Sequence, residues 1–258
     1  MKSNVFDMLI IFRIFRLIAS MANDSINHFI QSDLESLGIK HDQCPKHKGY
    51  KSPNSYIIVN AKTGTRTILH TNLGLPELNV SNFKQIDFKA YSWIHFEGRP
   101  NIQDTKEIIQ HIHTFHDKPK LSYEMEKVGR SYEPVMPLVD VLFLSKEYAQ
   151  SKGYRSKLEV VTNFSTSKNL TNKIIICAWG EDGAAGQDMN GEVFEVPASK
   201  PERGVVDTVG AGDTFNATVV ASLSSGLSLK NALENGCRVA GKKVGQFGFS
   251  NLKEAFQS

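Results

Sequence analysis

The feature that most constrains this 258-residue chain is an alternation of strand-like and helix-like segments along most of its length. The clearest strand is the run at residues 173–179, which reads Ile-Ile-Ile-Cys-Ala at its centre. Continuous apolar strands are typical of a parallel sheet that is covered on both faces, whereas half-exposed strands alternate with polar residues. The pattern therefore predicts an α/β protein with a mostly parallel central sheet.

Other segments fit the same alternation. Their apolar spacing predicts strands at 91–96, 120–123 and 139–144 and helices at 25–37, 105–115, 146–152, 212–224 and 229–244. Two antiparallel hairpins are also predicted, one at 56–69 around a turn at 60–64, and one at 184–196 around Asn190-Gly191.

Composition and charge exclude several classes of partner. The chain has 30 Lys and Arg against 27 Asp and Glu, a net charge of +3, and no stretch that combines dense basic residues with aromatic ones. Nucleic acid is therefore not an expected partner. The apolar run at 8–12 is interrupted by Arg13 and Arg16 and is too short to span a bilayer, so no membrane partner is expected either.

Three cysteines, Cys44, Cys177 and Cys237, bear on the compartment. They are too far apart for a CxxC motif and odd in number for a disulfide framework. We interpret them as reduced thiols of a cytoplasmic protein.

The most informative stretch is 207–215, which reads Asp-Thr-Val-Gly-Ala-Gly-Asp-Thr-Phe. It lies where a loop is predicted to turn into a helix, so the first backbone N–H groups have no partner inside the helix. Glycine at two of these positions leaves space for an anion, which the helix dipole also favours. Gly210, Ala211 and Gly212 are therefore candidates for an anion hole that holds a phosphoryl group.

Asp213 places a carboxylate beside this predicted anion hole. The position is unfavourable for a negative charge unless the carboxylate accepts a proton during a reaction, which is the role of a general base. A base next to amides that stabilise a transferring group suits phosphoryl transfer to a hydroxyl. The alternative is that Asp213 only caps the helix and that the glycines make a tight turn.

The longer string Asp-Thr-x-Gly-Ala-Gly-Asp-Thr-Phe is similar to the signature of the ribokinase-like (PfkB) carbohydrate kinases. Residues 93–99, 176–184 and 236–243 resemble segments of the ketohexokinase branch of that family, in the same order and at similar spacing. The resemblance covers about residues 19–258. It implies one three-layer α/β/α domain with a mostly parallel central sheet and a small β lid, of which the hairpin at about 55–71 is one half.

The resemblance also implies roles for individual residues. Asp213 would be the base and a sugar contact, and Arg66 would reach the phosphates of ATP from the hairpin. The nucleotide would be bordered by a turn made of Gly180, Glu181, Asp182 and Gly183, with Glu181 near the phosphates and the metal. The residues alone favour a solvated strand arginine at 66 and an ordinary acidic turn at 180–183.

The implied ligands are ATP, Mg²⁺ and fructose, with K⁺ as a further candidate, and no side chain is assigned as a metal ligand. The same family commonly forms a homodimer through its lid. The chain departs from the family pattern because it has no Gly-Gly-Asn and no counterpart of the aspartate that binds sugar hydroxyls. Residues 1–18 match nothing in the family, so the expectation is a domain truncated at its N-terminus.

Three functional hypotheses remain. The first is ATP-dependent phosphorylation of fructose at its 1-hydroxyl. The second is a nucleotide-binding pseudoenzyme or regulatory paralogue that keeps the ATP half of the site and has lost the sugar half. The third is a kinase of the same family that acts on another sugar or on a nucleoside.

Overall fold

The computed structural model describes residues 15–59, 66–201 and 204–257. The chain groups into two compact units. The described part of one comprises residues 15–59 and 66–82, and the described part of the other begins at Phe83 and continues to the C-terminal helix.

The smaller unit is built around one helix and two short strand pairs. Strand β1 (Met21–Ala22) is followed by helix α1 (Ser25–Ser36) and by strand β2 (Lys46–His47), which pairs with β1 in parallel. Helix α1 begins after Asp24, whose carboxylate accepts the N–H of Asn27 at 2.9 Å and so caps the first turn. The helix predicted at 25–37 is therefore confirmed to within one residue.

The predicted hairpin is also present in this unit. Strands β3 (Asn54–Val59) and β4 (Arg66–Thr71) are antiparallel. The turn predicted at 60–64 lies outside the described residues. Apolar side chains project from both faces of the hairpin and are exposed to solvent: Tyr56, Ile57, Ile58, Ile68 and Leu69.

The larger unit contains the central sheet. Its six described strands are β5 (Trp93–Phe96), β6 (Lys120–Met125), β7 (Val141–Leu144), β8 (Ile174–Ala178), β9 (Ala184–Gln187) and β10 (Val193–Val196). They lie side by side in chain order. Strands β5 to β8 are parallel, and β9 and β10 are added antiparallel. The mostly parallel sheet is thus confirmed, as is the hairpin predicted around Asn190-Gly191.

The helices of this unit are α2 (Ile102–His113), α3 (Lys146–Ser151), α4 (Lys157–Ser167), α5 (Ala211–Ser224), α6 (Leu229–Val244) and α7 (Leu252–Gln257). Helices α5 and α6 cover one face of the sheet, where Phe215 and Leu233 pack in one core with Phe143 and Ile176. Side chains alternate along a strand, so Ile175 and Cys177 face the other side, and α4 contacts β8 and β9. The result is the three-layer arrangement that the family resemblance implied.

Two helices, α4 and α7, were missed by the sequence analysis. In α4 the buried positions are Lys157, Val160, Val161 and Phe164. Two of these are β-branched, and so is Thr162, which lowers helix propensity at the centre of the segment. Packing against the sheet, which no local pattern reports, therefore decides the conformation of α4.

Candidate active site

The carboxyl ends of the parallel strands meet at one edge of the sheet, where open α/β folds bind their ligands. Glu97 follows β5, Glu126 follows β6, Lys146 follows β7 and Gly180 follows β8. The start of α5 lies at this edge as well, since the Nδ2 of Asn216 donates to Glu124 of β6 at 2.6 Å. The fold therefore brings two of the predicted segments, the turn at Gly180 and the start of α5, to one edge of the sheet.

The loop before α5 leaves backbone amides open at the helix N-terminus. Gly210 is the N-cap, in the left-handed region at φ 74°. The N–H of Ala211 donates to Thr208 O at 3.3 Å, and the N–H of Thr214 donates to Gly210 O at 2.9 Å. The intrahelical bonds thus begin at Thr214, beyond the amide of Gly212. Of the three predicted anion-hole amides, that of Ala211 is engaged within the turn.

The two glycines of this loop serve different purposes. A Cβ at Gly210 would lie 2.5 Å from Cζ of Phe249, in addition to the positive φ, so both space and backbone require glycine there. A Cβ at Gly212 would meet nothing within 4 Å. Gly212 therefore faces open space of the kind that an anion on the helix N-terminus would need.

Asp213 is in the first turn of α5 and is not its N-cap, which excludes the simple capping interpretation. Its Oδ2 is 3.8 Å from the position of a Cβ on Gly210, so the carboxylate stands beside the open amides. Although solvent reaches the side chain, the surrounding protein desolvates the carboxylate and raises its pKa, and the charges of Glu126 and Glu97 raise it further. A raised pKa favours the uptake of a proton.

Glu124 is a site residue that the sequence analysis missed. Burial first, then the charges of Asp213 and other carboxylates, raise its pKa to about 7, although the hydrogen bond from Asn216 acts in the opposite direction. Desolvation and like charge both disfavour the ionised form. An available signal was the acidic residue within the otherwise apolar or small run Leu121 to Met125, directly after the strand predicted at 120–123.

The turn at Gly180–Asp182 follows β8, two strands along the same edge from β6. Gly183 has φ 89°, and a Cβ there would collide with the backbone around Val196. Lys157, which is almost fully buried, donates to the carbonyl oxygen of Asp182 and so fixes the turn from α4. The predicted nucleotide-bordering turn is therefore a rigid one.

Glu181 extends from this turn toward solvent. The Nζ of Lys146 contacts its carboxylate at 3.2 Å, and the pKa of Glu181 is lowered by a backbone hydrogen bond and by this lysine. Arg66 is the first residue of β4, in the smaller unit, and its side chain lies outside the described part of the chain. Its contact with phosphates stays a prediction.

No group of three or more His, Cys, Asp or Glu side chains that could enclose a metal ion occurs among the described residues. The carboxylates of Glu97 and Glu126 nevertheless act on Asp213 at this edge of the sheet, and Lys127 acts in the opposite direction. Such a site suits Mg²⁺ that arrives bound to phosphates and keeps several waters, and not a cage made of protein ligands alone. Among the described residues, no helix is both long enough and apolar enough to cross a bilayer.

The sheet order and the helices on both of its faces define the class of protein. The chain has the ribokinase-like α/β fold. A solved putative ribokinase II from E. coli, in complex with ATP and Mg²⁺, matches 98% of this chain and 86% of its own with a TM-score of 0.76 at 17% identity. An adenosine kinase from Sinorhizobium meliloti matches 99% of this chain and 80% of its own with a TM-score of 0.79 at 19% identity.

Sequence comparison then gives the family. Residues 16–255 match the model of the pfkB family carbohydrate kinases. Ketohexokinase of Mus musculus is 34% identical over 239 residues, which cover 90% of this chain and 79% of the mouse protein. The chain belongs to the pfkB family of carbohydrate kinases.

Proposed function

We propose that this protein transfers the γ-phosphate of ATP to the 1-hydroxyl of fructose. The observation that carries the proposal is the placement of Asp213 beside the open amides at the N-terminus of α5. The choice of fructose is supported by the mouse relative, a ketohexokinase. The choice of ATP and Mg²⁺ is supported by the solved ribokinase that holds both.

In the proposed reaction, the hydroxyl oxygen of the sugar forms a bond to the γ-phosphorus while the bond between that phosphorus and ADP breaks. The Asp213 carboxylate takes the proton that the hydroxyl releases. The amides near Gly212 stabilise negative charge on the transferring group. Because the pKa of Asp213 is raised, it is a better proton acceptor than a fully solvated aspartate.

The rest of the nucleotide is proposed to lie along the turn formed by Gly180, Glu181, Asp182 and Gly183, with Arg66 reaching its phosphates. Mg²⁺ bound to the phosphates would supply charge neutralisation. We further propose a cytoplasmic protein that forms a homodimer through the hairpin β3–β4. The exposed apolar side chains on both faces of that hairpin support this part of the proposal.

Two alternatives remain in view. The fold similarity to an adenosine kinase keeps a nucleoside or another sugar as the acceptor. The second alternative is a regulatory protein that binds ATP but transfers no phosphate. It is kept because the family's sugar-binding aspartate and Gly-Gly-Asn were not found in the sequence.

A panel of acceptors separates these functions. ADP formation is measured with purified protein, ATP and Mg²⁺, in turn with fructose, glucose, ribose, adenosine and no acceptor. The proposal predicts ADP formation that depends on fructose and yields fructose 1-phosphate by ³¹P NMR. Turnover with another acceptor and not with fructose would show that the protein is a kinase for that acceptor. Saturable ATP binding with no acceptor-dependent turnover would establish the regulatory alternative.

A further inference from the structure

Lys243, near the C-terminal end of α6, carries a side chain with 0% exposure. Its Nζ donates to Asp207 Oδ2 at 2.7 Å and to Asp207 O at 3.0 Å, and it lies 5.0 Å from the ring centroid of Phe249. A buried ammonium is costly unless it is fully paired, and an apolar residue of the same size often stabilises as well or better. Packing alone therefore does not account for a lysine at this position.

The partners of Lys243 are the residues that give the anion-hole loop its shape. Asp207 begins that loop, and its Oδ1 accepts the N–H of Val209 at 3.0 Å. The ring of Phe249 occupies the space next to Gly210, the N-cap of α5. The ammonium thus contacts both the start of the loop and the ring that packs against its end.

The loop is also held to the end of α6 by its backbone. The N–H groups of Val206 and Asp207 donate to Val244 O at 2.7 Å and 3.2 Å. Burial acts to raise the pKa of Asp207, but the hydrogen bonds and the charge of Lys243 hold it below its ordinary value. Asp207 therefore remains ionised at neutral pH and pairs with the buried ammonium of Lys243, while its own side chain is partly exposed.

We propose, on the basis of the proposed function, that Lys243 is a positioning residue for the anion hole. Its buried ammonium fixes Asp207 and Phe249, and thereby the left-handed turn at Gly210 that leaves the amides of α5 open to a phosphoryl group. The residue acts through the loop and touches no substrate. Without the positive charge, the loop would exchange among conformations in which the amides are no longer aligned.

The test compares Lys243→Met, which keeps most of the stem and removes the charge, with Lys230→Met, an exposed lysine at the start of the same helix. Amide hydrogen exchange of the peptide 205–215 and kcat are measured for both. We expect Lys243→Met to raise exchange in that peptide about tenfold, with the sheet unchanged, and to lower kcat by about 10²-fold. Lys230→Met is expected to match the wild type in both readouts.

A second arm asks whether the charge itself matters. In Lys243→Ala, ammonium ions should restore part of kcat by entering the vacated space, whereas tetramethylammonium at the same ionic strength should not. If Lys243→Met is not folded, Asp207→Asn removes the other half of the pair and should show the same local exchange. Unchanged exchange at 205–215 in the folded charge-removing variants, or an equal rise across all peptides, would overturn the proposal.

Failure of the proposed function gives a different result. If the wild type transfers no phosphate to any acceptor but exchange still rises only at 205–215, Lys243 does hold the loop and the kinase assignment is wrong. If the wild type is active and Lys243→Met retains wild-type kcat and local exchange, the kinase assignment stands and the role of Lys243 is refuted.

Discussion

At the scale of single residues, the site joins two carboxyl groups whose ionisation is linked. Burial raises the pKa of both Glu124 and Asp213, and the charge of Asp213 raises that of Glu124 further. Asn216 connects α5 to Glu124 by a hydrogen bond. Desolvation of these carboxyl groups is unfavourable for stability because it disfavours their ionised forms. It is typical of sites at which a proton is transferred.

The raised pKa of Glu124 predicts a pH dependence of stability. The folded protein binds this proton more tightly than the unfolded chain between about pH 4.5 and 7, so the free energy of unfolding falls as pH rises through that window. Glu124→Gln removes this pH-dependent contribution to the free energy of unfolding, which is up to about 3 kcal/mol. Urea unfolding at pH 5 and pH 8 should show a smaller difference for this variant than for wild type, with Glu234→Gln as the exposed control. An identical pH difference in Glu124→Gln and wild type would refute the pKa assignment.

Gly210 allows a second test at this scale. Gly210→Ala places a Cβ on a residue with φ 74° and against Phe249, whereas Gly226→Ala imposes a similar backbone cost at φ 83° with nothing within 4 Å. Each should lose about 1–2 kcal/mol of stability from the left-handed conformation. Only Gly210→Ala should also lose phosphoryl transfer, by about 10²-fold.

Urea unfolding and initial-rate kinetics measure the two effects separately. Equal activity in both variants at matched stability would show that the turn at residue 210 is not part of the anion hole.

At the scale of elements, the hairpin β3–β4 carries the proposed dimer contact. Tyr56 and Leu69 are cross-strand partners and share one face with Ile58, and all three are exposed. Ile58→Lys together with Leu69→Lys puts two charges into that face, which should weaken self-association at least about tenfold, a change of 1.4 kcal/mol. Light scattering coupled to size exclusion should then find monomers where the wild type is a dimer.

The control is Met189→Lys, which changes an exposed apolar residue in the β9–β10 turn and should leave the dimer intact. A wild type that stays monomeric at high protein concentration would contradict the proposed contact.

At the scale of the whole molecule, much of the fold was accessible from sequence because the sheet is buried on both faces. The apolar run around Ile176 and the Asn190-Gly191 turn each determine local structure strongly, and both were confirmed. The loop that leads into α5, where we propose the anion hole, could also be predicted because its glycines and the helix that follows lie in one short segment.

The rest of the site depends on pairs that are distant in sequence. Glu124 and Asn216 are 92 positions apart, and Asp207 and Lys243 are 36 apart. Only the folded sheet and the packing of α6 bring them together, and neither pair has a local pattern. Lys243 lies in the segment 236–243 that resembles the family. Its burial could not be predicted from sequence, because lysine usually lies on a solvated helix face.

We propose that Asp213 removes the proton from the acceptor hydroxyl beside the open amides of α5. This is tested most directly in Asp213→Asn by measuring kcat from ADP-release kinetics and the affinity for ATP by isothermal titration calorimetry. Asp117→Asn, at an exposed aspartate, is the control. We expect kcat to fall by about 10²–10⁴-fold while the Kd for ATP stays near the wild-type value. Turnover that survives in Asp213→Asn with unchanged ATP binding would contradict it.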